Sequence, residues 1–263
     1  MISQNLKKSV SSFHQKDIAL MEKYLGETPF SPSFWIRKRV RDAIIANSHV
    51  AHGTLVDVGC GLKQYEIYLR PFVDSYYGTE FSPESGFNGN CADVAGNAAA
   101  MPFADESIDT IICTEVLEHV SDPERAISEF ARVMRPDGVI ITTAPFFFPI
   151  HDKFDFYRYS DKGLAEMMQR HGLIIERIEP LSGTGMTLAL LINIYWFDIG
   201  FLWTKWLYPI GLALRPLLLL VVSIINILGW IADRVLRSNH MSFDHLTIAR
   251  KPKDAKSVGM LVA

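Results

Sequence analysis

The chain has 263 residues and a formal net charge of −3, enough for one large domain or for one domain with an appendage. The slightly acidic balance excludes a dedicated nucleic-acid binder, whose footprint would be basic. Three cysteines, Cys60, Cys91 and Cys113, form an odd set and are read as reduced thiols, and the opening residues lack the apolar core of a signal peptide.

Residues 1–50 read as a helical lead-in punctuated by Pro29 and Pro32 and ending in Arg37-Lys38-Arg39-Val40-Arg41. That basic run suits a solvated helix face; its second reading is attraction to anionic lipid head groups. Residues 54–61, Thr-Leu-Val-Asp-Val-Gly-Cys-Gly, follow. Leu55, Val56 and Val58 suit a strand covered on both faces, and Gly59 and Gly61 allow a sharp turn with close backbone approach to a ligand. A dinucleotide fingerprint would need a third glycine where Gln64 stands, and no Gly-Lys-Ser/Thr follows, so neither phosphate-binding motif is present. Asp57 at the turn would repel a pyrophosphate and attract an amino group or a sulfonium.

A helix near 63–70 leads to a second strand at 75–78, and Glu80 stands 21 positions after Gly59, where a carboxylate accepts the hydroxyl hydrogens of a ribose. A short third strand near 90 places Asp93 to accept from an adenine amino group. Residues 108–113 form the fourth strand, Asp122-Pro123-Glu124 starts a helix running to about Met134, Pro136-Asp137-Gly138 reads as a turn, and 139–144 form the fifth strand. Such alternation implies a doubly wound α/β fold with a parallel sheet, whose ligands sit beyond the carboxyl ends of the strands.

The loop after the fifth strand, from Pro145 through His151 to Ser160, is dense in aromatic and titratable groups. His151 is the first candidate for a general base, its unperturbed pKa being near neutrality; its other reading is a loop-bracing hydrogen bond. Tyr157 and Arg158 would shape an acceptor pocket, with Arg158 suited to an anionic group or to pairing with Asp155. Ser160 caps a helix whose Leu164, Met167 and Met168 make an apolar stripe.

Val56-Asp57-Val58-Gly59-Cys60-Gly61, Glu80, Asp93, residues 102–109, Glu115-Val116-Leu117-Glu118-His119-Val120 and Val133-Met134-Arg135-Pro136-Asp137-Gly138 together resemble the class I S-adenosylmethionine-dependent methyltransferases of type 11. The resemblance covers roughly the first 180 residues. It implies a seven-stranded, mostly parallel Rossmann-like sheet with strand 7 antiparallel. Asp57, Gly59, Cys60 and Gly61 would line the methionine end of the cofactor, Glu80 with its neighbour Phe81 the ribose, Asp93 and Val94 the adenine, and Glu115 the pocket edge. Certain quinone-biosynthesis methyltransferases resemble the Glu115, Glu118 and His119 segment and hold a divalent ion there, but the same segment is common without metal, and no metal is assigned.

Residues 173–180 read as strand 6 and 243–251 as strand 7. The intervening stretch carries few charges and is too apolar for a structureless loop, so an apolar helical insertion is expected. The domain plan is a lead-in at 1–50, a cofactor-binding core at 51–182, an insertion at 183–240 and a terminal strand and tail at 241–263. With both ends of the insertion on one sheet, membrane crossings number zero or two. The run 216–231 is sixteen residues, short of the roughly 20 that span hydrocarbon, and Asp198 and Lys205 are expensive at bilayer depth. At about 100° per residue, Ser223, Asn226, Asp233, Arg234 and Arg237 fall on one arc of about a quarter turn, and Trp203, Trp206, Tyr208 and Trp230 are interface formers.

These features favour an in-plane or re-entrant membrane hairpin over residues 186–236; a buried homodimer core is the competing reading. The expectation is a methyltransferase at the cytoplasmic face of the inner membrane, peripheral or monotopic, transferring methyl from S-adenosylmethionine to an oxygen of a membrane-borne lipid, quinone or lipid-linked glycan. A non-catalytic membrane adaptor and a soluble small-molecule methyltransferase are the alternatives.

Overall fold

The computed structural model describes residues 25–81, 91–206 and 210–253. The chain divides into two compact units: residues 1–39 with 182–241, and residues 40–181 with 242–263. The division falls within α1 (Phe34–Asn47).

The second unit alternates strand and helix: β1 (Thr54–Val58), α2 (Glu66–Leu69), β2 (Ser75–Glu80), β3 (Val94–Ala95), β4 (Ile108–Thr114), α3 (Pro123–Val133), β5 (Met134–Pro145), α4 (Asp161–Arg170), β6 (Ile174–Pro180) and β7 (Asp244–Arg250). The seven strands lie in the order β3-β2-β1-β4-β5-β7-β6. All pairs from β3 to β5 are parallel, while β7 runs antiparallel between β5 and β6. The crossover helices explain the near-continuous apolar runs: Leu55 and Val56 on β1, Ile111 and Ile112 on β4, and Ile140 and Ile141 on β5 are fully buried on both faces. α3 starts as its sequence dictates. Asp122 accepts from the Arg125 amide at 3.1 Å, Pro123 occupies the first turn, and Ala126, Ile127, Phe130 and Val133 make one fully buried stripe.

Two local expectations are corrected. The third strand lies at Val94–Ala95 rather than near 90, and 82–90 lie outside the described residues. Pro136, Asp137 and Gly138 do not separate helix from strand: β5 pairs from Met134 onward, with its ladder shifted between Ile108 and Thr110. Asp137 has φ 71° and Pro136 has no amide to donate, so the turn chemistry is expressed as an irregularity inside a strand.

The first unit contains a helical hairpin, α5 (Thr184–Trp206) and α6 (Ile210–Leu236). Its residues 213–236 are long and apolar enough to cross a membrane by length and composition, which corrects the sixteen-residue limit: the helix continues past both ends of that run. The helices cross on small residues. A Cβ on Gly229 would lie 2.5 Å from the Ala189 Cβ, and one on Gly185 2.7 Å from the Gly229 carbonyl oxygen. The Asp233 carboxylate caps α5, accepting from the amides of Gly183, Gly185 and Met186 at 3.0, 2.5 and 3.2 Å.

The quarter-turn polar arc of α6 does not form one water-facing stripe. Asn226 is 1% exposed and Ser223 is buried, whereas Arg234 and Arg237 are exposed. Asn226 Nδ2 donates to the Pro29 and Ser31 carbonyls at 2.7 and 3.1 Å, its Oδ1 accepts from Asn193 Nδ2 at 2.9 Å, and Trp35 donates to its carbonyl at 3.0 Å. Leu217, Leu220, Ile224, Ile227, Leu228 and Ile231 are exposed instead. The side chains of Asp198, Trp203, Lys205, Trp206 and Tyr208 lie outside the described residues.

Candidate active site

The cofactor-side residues converge at the carboxyl ends of β1 and β2, where a parallel sheet leaves amides and turn glycines without helical partners. Gly59 has φ 71°, and a Cβ there would meet Val116 Cγ2 at 2.3 Å, so glycine is required by conformation and by space. The Gly59 and Cys60 amides donate to the Thr79 carbonyl at 2.9 and 3.1 Å, tying the turn to β2. Gly61 has φ 51°, and a Cβ added there would meet nothing within 4 Å, so open space borders the turn on the side where a ligand would lie.

Glu80 Oε1 accepts from the Gly61 amide at 2.6 Å, placing a ribose-type acceptor against the glycine turn. Asp93 Oδ2 accepts from the Gly78 amide at 2.7 Å and from Lys63 Nζ at 2.6 Å, and the Lys63 hydrogen bond holds its carboxyl below the usual range. Phe81 is exposed and Val94 half-buried. Glu80 and Asp93 thus each accept from a backbone amide at the end of β1 or within β2, and two carboxylates so held suit the hydroxyl and amino donors of S-adenosylmethionine.

Asp57 lies deeper than a surface anion. It is 2% exposed and accepts a short hydrogen bond from the Tyr76 hydroxyl. Burial pushes its carboxyl up to about 7 against the opposing pull of Tyr76. The Cys60 thiol is pushed up to about 12 by burial and by Asp57, and its side chain packs beside Gly78, where a Cβ would meet its sulfur at 2.6 Å.

On the acceptor side, Glu115 has φ 54°, an unusual backbone for a non-glycine residue. Its Oε1 accepts from the Thr143 hydroxyl at 2.8 Å, and it shares a hydrogen bond with Asp244, fully buried at the start of β7. Burial and Glu115 together raise the Asp244 carboxyl far above its ordinary value. Glu118 is also fully buried, has no hydrogen-bond partner on either carboxylate oxygen, and is pushed up to about 9 by burial and by Glu115.

The loop after β5 folds back on this cluster. His151 packs edge-on against His119 and Phe148, ring centroids 5.0 and 5.1 Å apart. Arg158 turns inward to the loop: it pairs with Asp155 through both terminal nitrogens, and donates to the Phe148 carbonyl at 2.8 Å and to the Pro149 carbonyl at 2.7 Å. Of its two readings, the pairing with Asp155 is the one formed. The Tyr157 hydroxyl donates to the Ser121 carbonyl at 3.1 Å, and Tyr159 donates to the Leu117 carbonyl at 2.9 Å.

Sequence reasoning did not reach Tyr76, Lys63, Thr143 and Asp244. Lys63 carried a usable signal, a cation within reach of the glycine turn. Asp244 carried none, because the β5 to β7 register that sets Pro145 beside Asp244 joins segments separated by the insertion.

Residues 56–142 match the family described as a methyltransferase domain. An uncharacterised methyltransferase of Mycobacterium sp. (strain KMS) is 34% identical over 93 residues, which are 34% of this chain and 37% of that protein. The ubiquinone/menaquinone biosynthesis C-methyltransferase of Haemophilus ducreyi is 32% identical over 78 residues, 28% of this chain and 30% of that protein. The match thus spans about a third of these relatives' length. A putative methyltransferase solved with the Haloferax volcanii Trm112 activator superposes with a TM-score of 0.53 at 17% identity, covering 81% of this chain and 89% of that one. The [4+2]-cyclase SpnF superposes at 0.50 with 20% identity, covering 82% and 81%. Both likenesses are of fold, and the second shows that the fold also carries other chemistry. The sheet order and the glycine turn with its carboxylates agree with the likeness of residues 56–142 to a methyltransferase domain.

Proposed function

We propose that the protein transfers a methyl group from S-adenosylmethionine to a membrane-borne or amphiphilic acceptor, in the first instance to an oxygen atom, while held at a membrane surface by the α5/α6 hairpin. S-adenosylmethionine supplies an electrophilic methyl on a sulfonium. The protein's part is to hold the cofactor on Glu80, Asp93 and the glycine turn and to present the acceptor from the side of Glu115, Glu118 and the His151 loop. As the acceptor oxygen bonds to the methyl carbon, the carbon–sulfur bond breaks and the acceptor proton passes to a group on that side, His151 being the sequence candidate.

The observation that carries the membrane half is the polarity of the hairpin. Its amides Asn193 and Asn226 are buried and paired, while its leucines and isoleucines are exposed. In water that arrangement leaves a large apolar face uncovered; against lipid it is the ordinary one. The quinone methyltransferase among the relatives is compatible with an apolar acceptor.

Calorimetric titration with S-adenosylmethionine, followed by incubation of the full chain with isotopically labelled cofactor and a membrane lipid extract, tests both halves. Cofactor binding that Glu80→Gln weakens at least tenfold, with label entering the lipid fraction, is expected. Absence of binding would return the chain to a fold without this chemistry, and label entering only water-soluble acceptors would remove the membrane substrate.

A further inference from the structure

We propose, resting on the membrane reading above, that the loop from Ile150 to Tyr157 enters a lipid surface and that the amphiphilic acceptor reaches the site past the apolar side chains this loop carries. The loop belongs to the sheet-based unit, so the residues concerned are separate from the hairpin.

The polarity of this loop is inverted. Asp155 has no exposed side-chain surface and is paired with Arg158, itself 22% exposed. The His151 amide donates to Asp155 Oδ2 at 3.0 Å, and Arg158 also holds the Phe148 and Pro149 carbonyls at 2.8 and 2.7 Å. Outward stand Ile150, Phe154, Phe156 and Tyr157, with Ile150 79% and Phe154 52% exposed. A loop in water ordinarily does the reverse, keeping its charges outside and its large apolar groups in. The ring centroids of Phe154 and Phe156 are 6.5 Å apart, and those of Phe156 and Tyr157 6.3 Å. The exposed rings therefore form one patch rather than scattered residues.

The patch borders the acceptor side. The Phe156 amide donates to the Glu118 carbonyl at 2.8 Å and the Tyr157 hydroxyl to the Ser121 carbonyl at 3.1 Å, which ties it to the segment following β4. An acceptor chain leaving a bilayer there exchanges lipid for aromatic contacts without crossing open water.

Lipid fits this patch better than a protein partner does. Lys153 Nζ lies 4.9 Å from the Phe154 ring centroid. A cation among aromatic rings suits the membrane–water interface, whereas protein interfaces are depleted in lysine. Asp152 beside it offsets the Lys153 charge and accepts from the Lys153 and Phe154 amides. The attraction is thus mainly apolar, and zwitterionic lipid is sufficient for it.

A nitroxide label is placed at Phe154→Cys in the full chain, in a Cys91→Ser background because Cys60 and Cys113 are buried. Tyr77→Cys, exposed on β2, serves as the reference. On binding to phosphatidylcholine vesicles, the label at 154 should lose collisions with a water-soluble nickel chelate and gain collisions with oxygen, while the label at 77 stays unchanged. Phe154→Ser combined with Phe156→Ser should keep the affinity for S-adenosylmethionine, while transfer of labelled methyl to a membrane lipid extract falls by at least about tenfold, the size of one lost apolar contact. A label at 154 that stays open to the chelate on vesicle-bound chain overturns the proposal and leaves the hairpin anchor standing. Equal protection without vesicles, at raised chain concentration, assigns the patch to a second copy and overturns it as well. Native-like transfer by the double serine variant removes the acceptor route. A chain that does not bind vesicles at all fails the membrane reading itself, and the loop's role with it.

Discussion

In the sheet-based unit, fully buried positions are filled by Val56, Ile111, Phe130 and Ile140; in the hairpin, Asn193 and Asn226 lie inside while Leu217, Ile224, Leu228 and Ile231 lie outside. The first pattern suits water, and the second suits the lipid surface proposed above. The sheet buries apolar area at about 25 cal/mol per Å² removed from water; the hairpin buries Leu190, Phe197, Leu218 and Val222 as well, and adds to them paired amides and close glycine contacts, devices that also work when the surroundings are apolar. Under the proposed membrane reading, the difference is one between two surroundings, water for the sheet unit and lipid for the outer face of the hairpin.

The largest expected effect reverses the outer face of the hairpin. Replacing Ile224, Leu228 and Ile231 together by lysine places three charges on exposed positions, each costing about 2.5–3.5 kcal/mol at membrane depth. Liposome flotation should fall by at least about 100-fold, with no loss of thermal stability in water. Unchanged flotation combined with dissociation of a dimer would transfer the same face to a protein interface.

Next in size is the acid buried inside the sheet unit. Asp57 faces Tyr76, Glu80, Lys63 and Glu66, and its carboxyl at about 7 stands above its ordinary 3.8. The stability linked to the neutral form is complete below about pH 4 and lost as pH rises through 7. Asp57→Asn removes that loss. The variant should gain relative to the native chain between pH 4 and pH 8, by an amount on the order of 4 kcal/mol at 1.4 kcal/mol per unit, read as a growing difference in unfolding free energy. A pH-independent difference would place the carboxylate in a solvated setting instead.

Asn226→Leu probes the interior of the hairpin. It removes the acceptor of Asn193 Nδ2 and the donor to the Pro29 and Ser31 carbonyls, leaving Asn193 the Val222 carbonyl at 3.3 Å and Ser31 the Phe34 amide at 3.2 Å, and about 1–3 kcal/mol of destabilisation is expected from the lost hydrogen bonds. A stabilised variant would mean that the inner seam is apolar in character, and the contrast between the units would disappear.

The parts of this picture readable from the chain are those set by neighbours in sequence. The run Leu55 to Gly61 places a strand and its turn, Asp122-Pro123-Glu124 starts a helix, and the pairing of Arg158 with Asp155 lies three positions apart. Partners joined by strand register were not readable: Tyr76 on Asp57, and Asp244 on Glu115 across the insertion. Periodicity located the polar arc of α6 but not its direction, because an arc of amides looks the same whether water or a second helix lies beside it. Asn226 turned inward because residues 29–31 and Asn193 offer it partners there.

The smallest effect concerns Lys63 and Asp93. Their contact at 2.6 Å is partly exposed, with 16% and 40% of the two side chains accessible, so it is worth about 0.2–1 kcal/mol at most. The pair engages an oxygen of the carboxylate assigned to the adenine end, so a bound cofactor competes with Lys63 for Asp93. Lys63→Met should therefore tighten S-adenosylmethionine binding by up to about fivefold, the range that such a pair energy converts to, and weaken its dependence on salt, since the screened competitor is gone. Weaker binding in the variant would show the opposite geometry, in which the Lys63 stem forms part of the cofactor's wall and its pairing with Asp93 prepares the rim instead of blocking it.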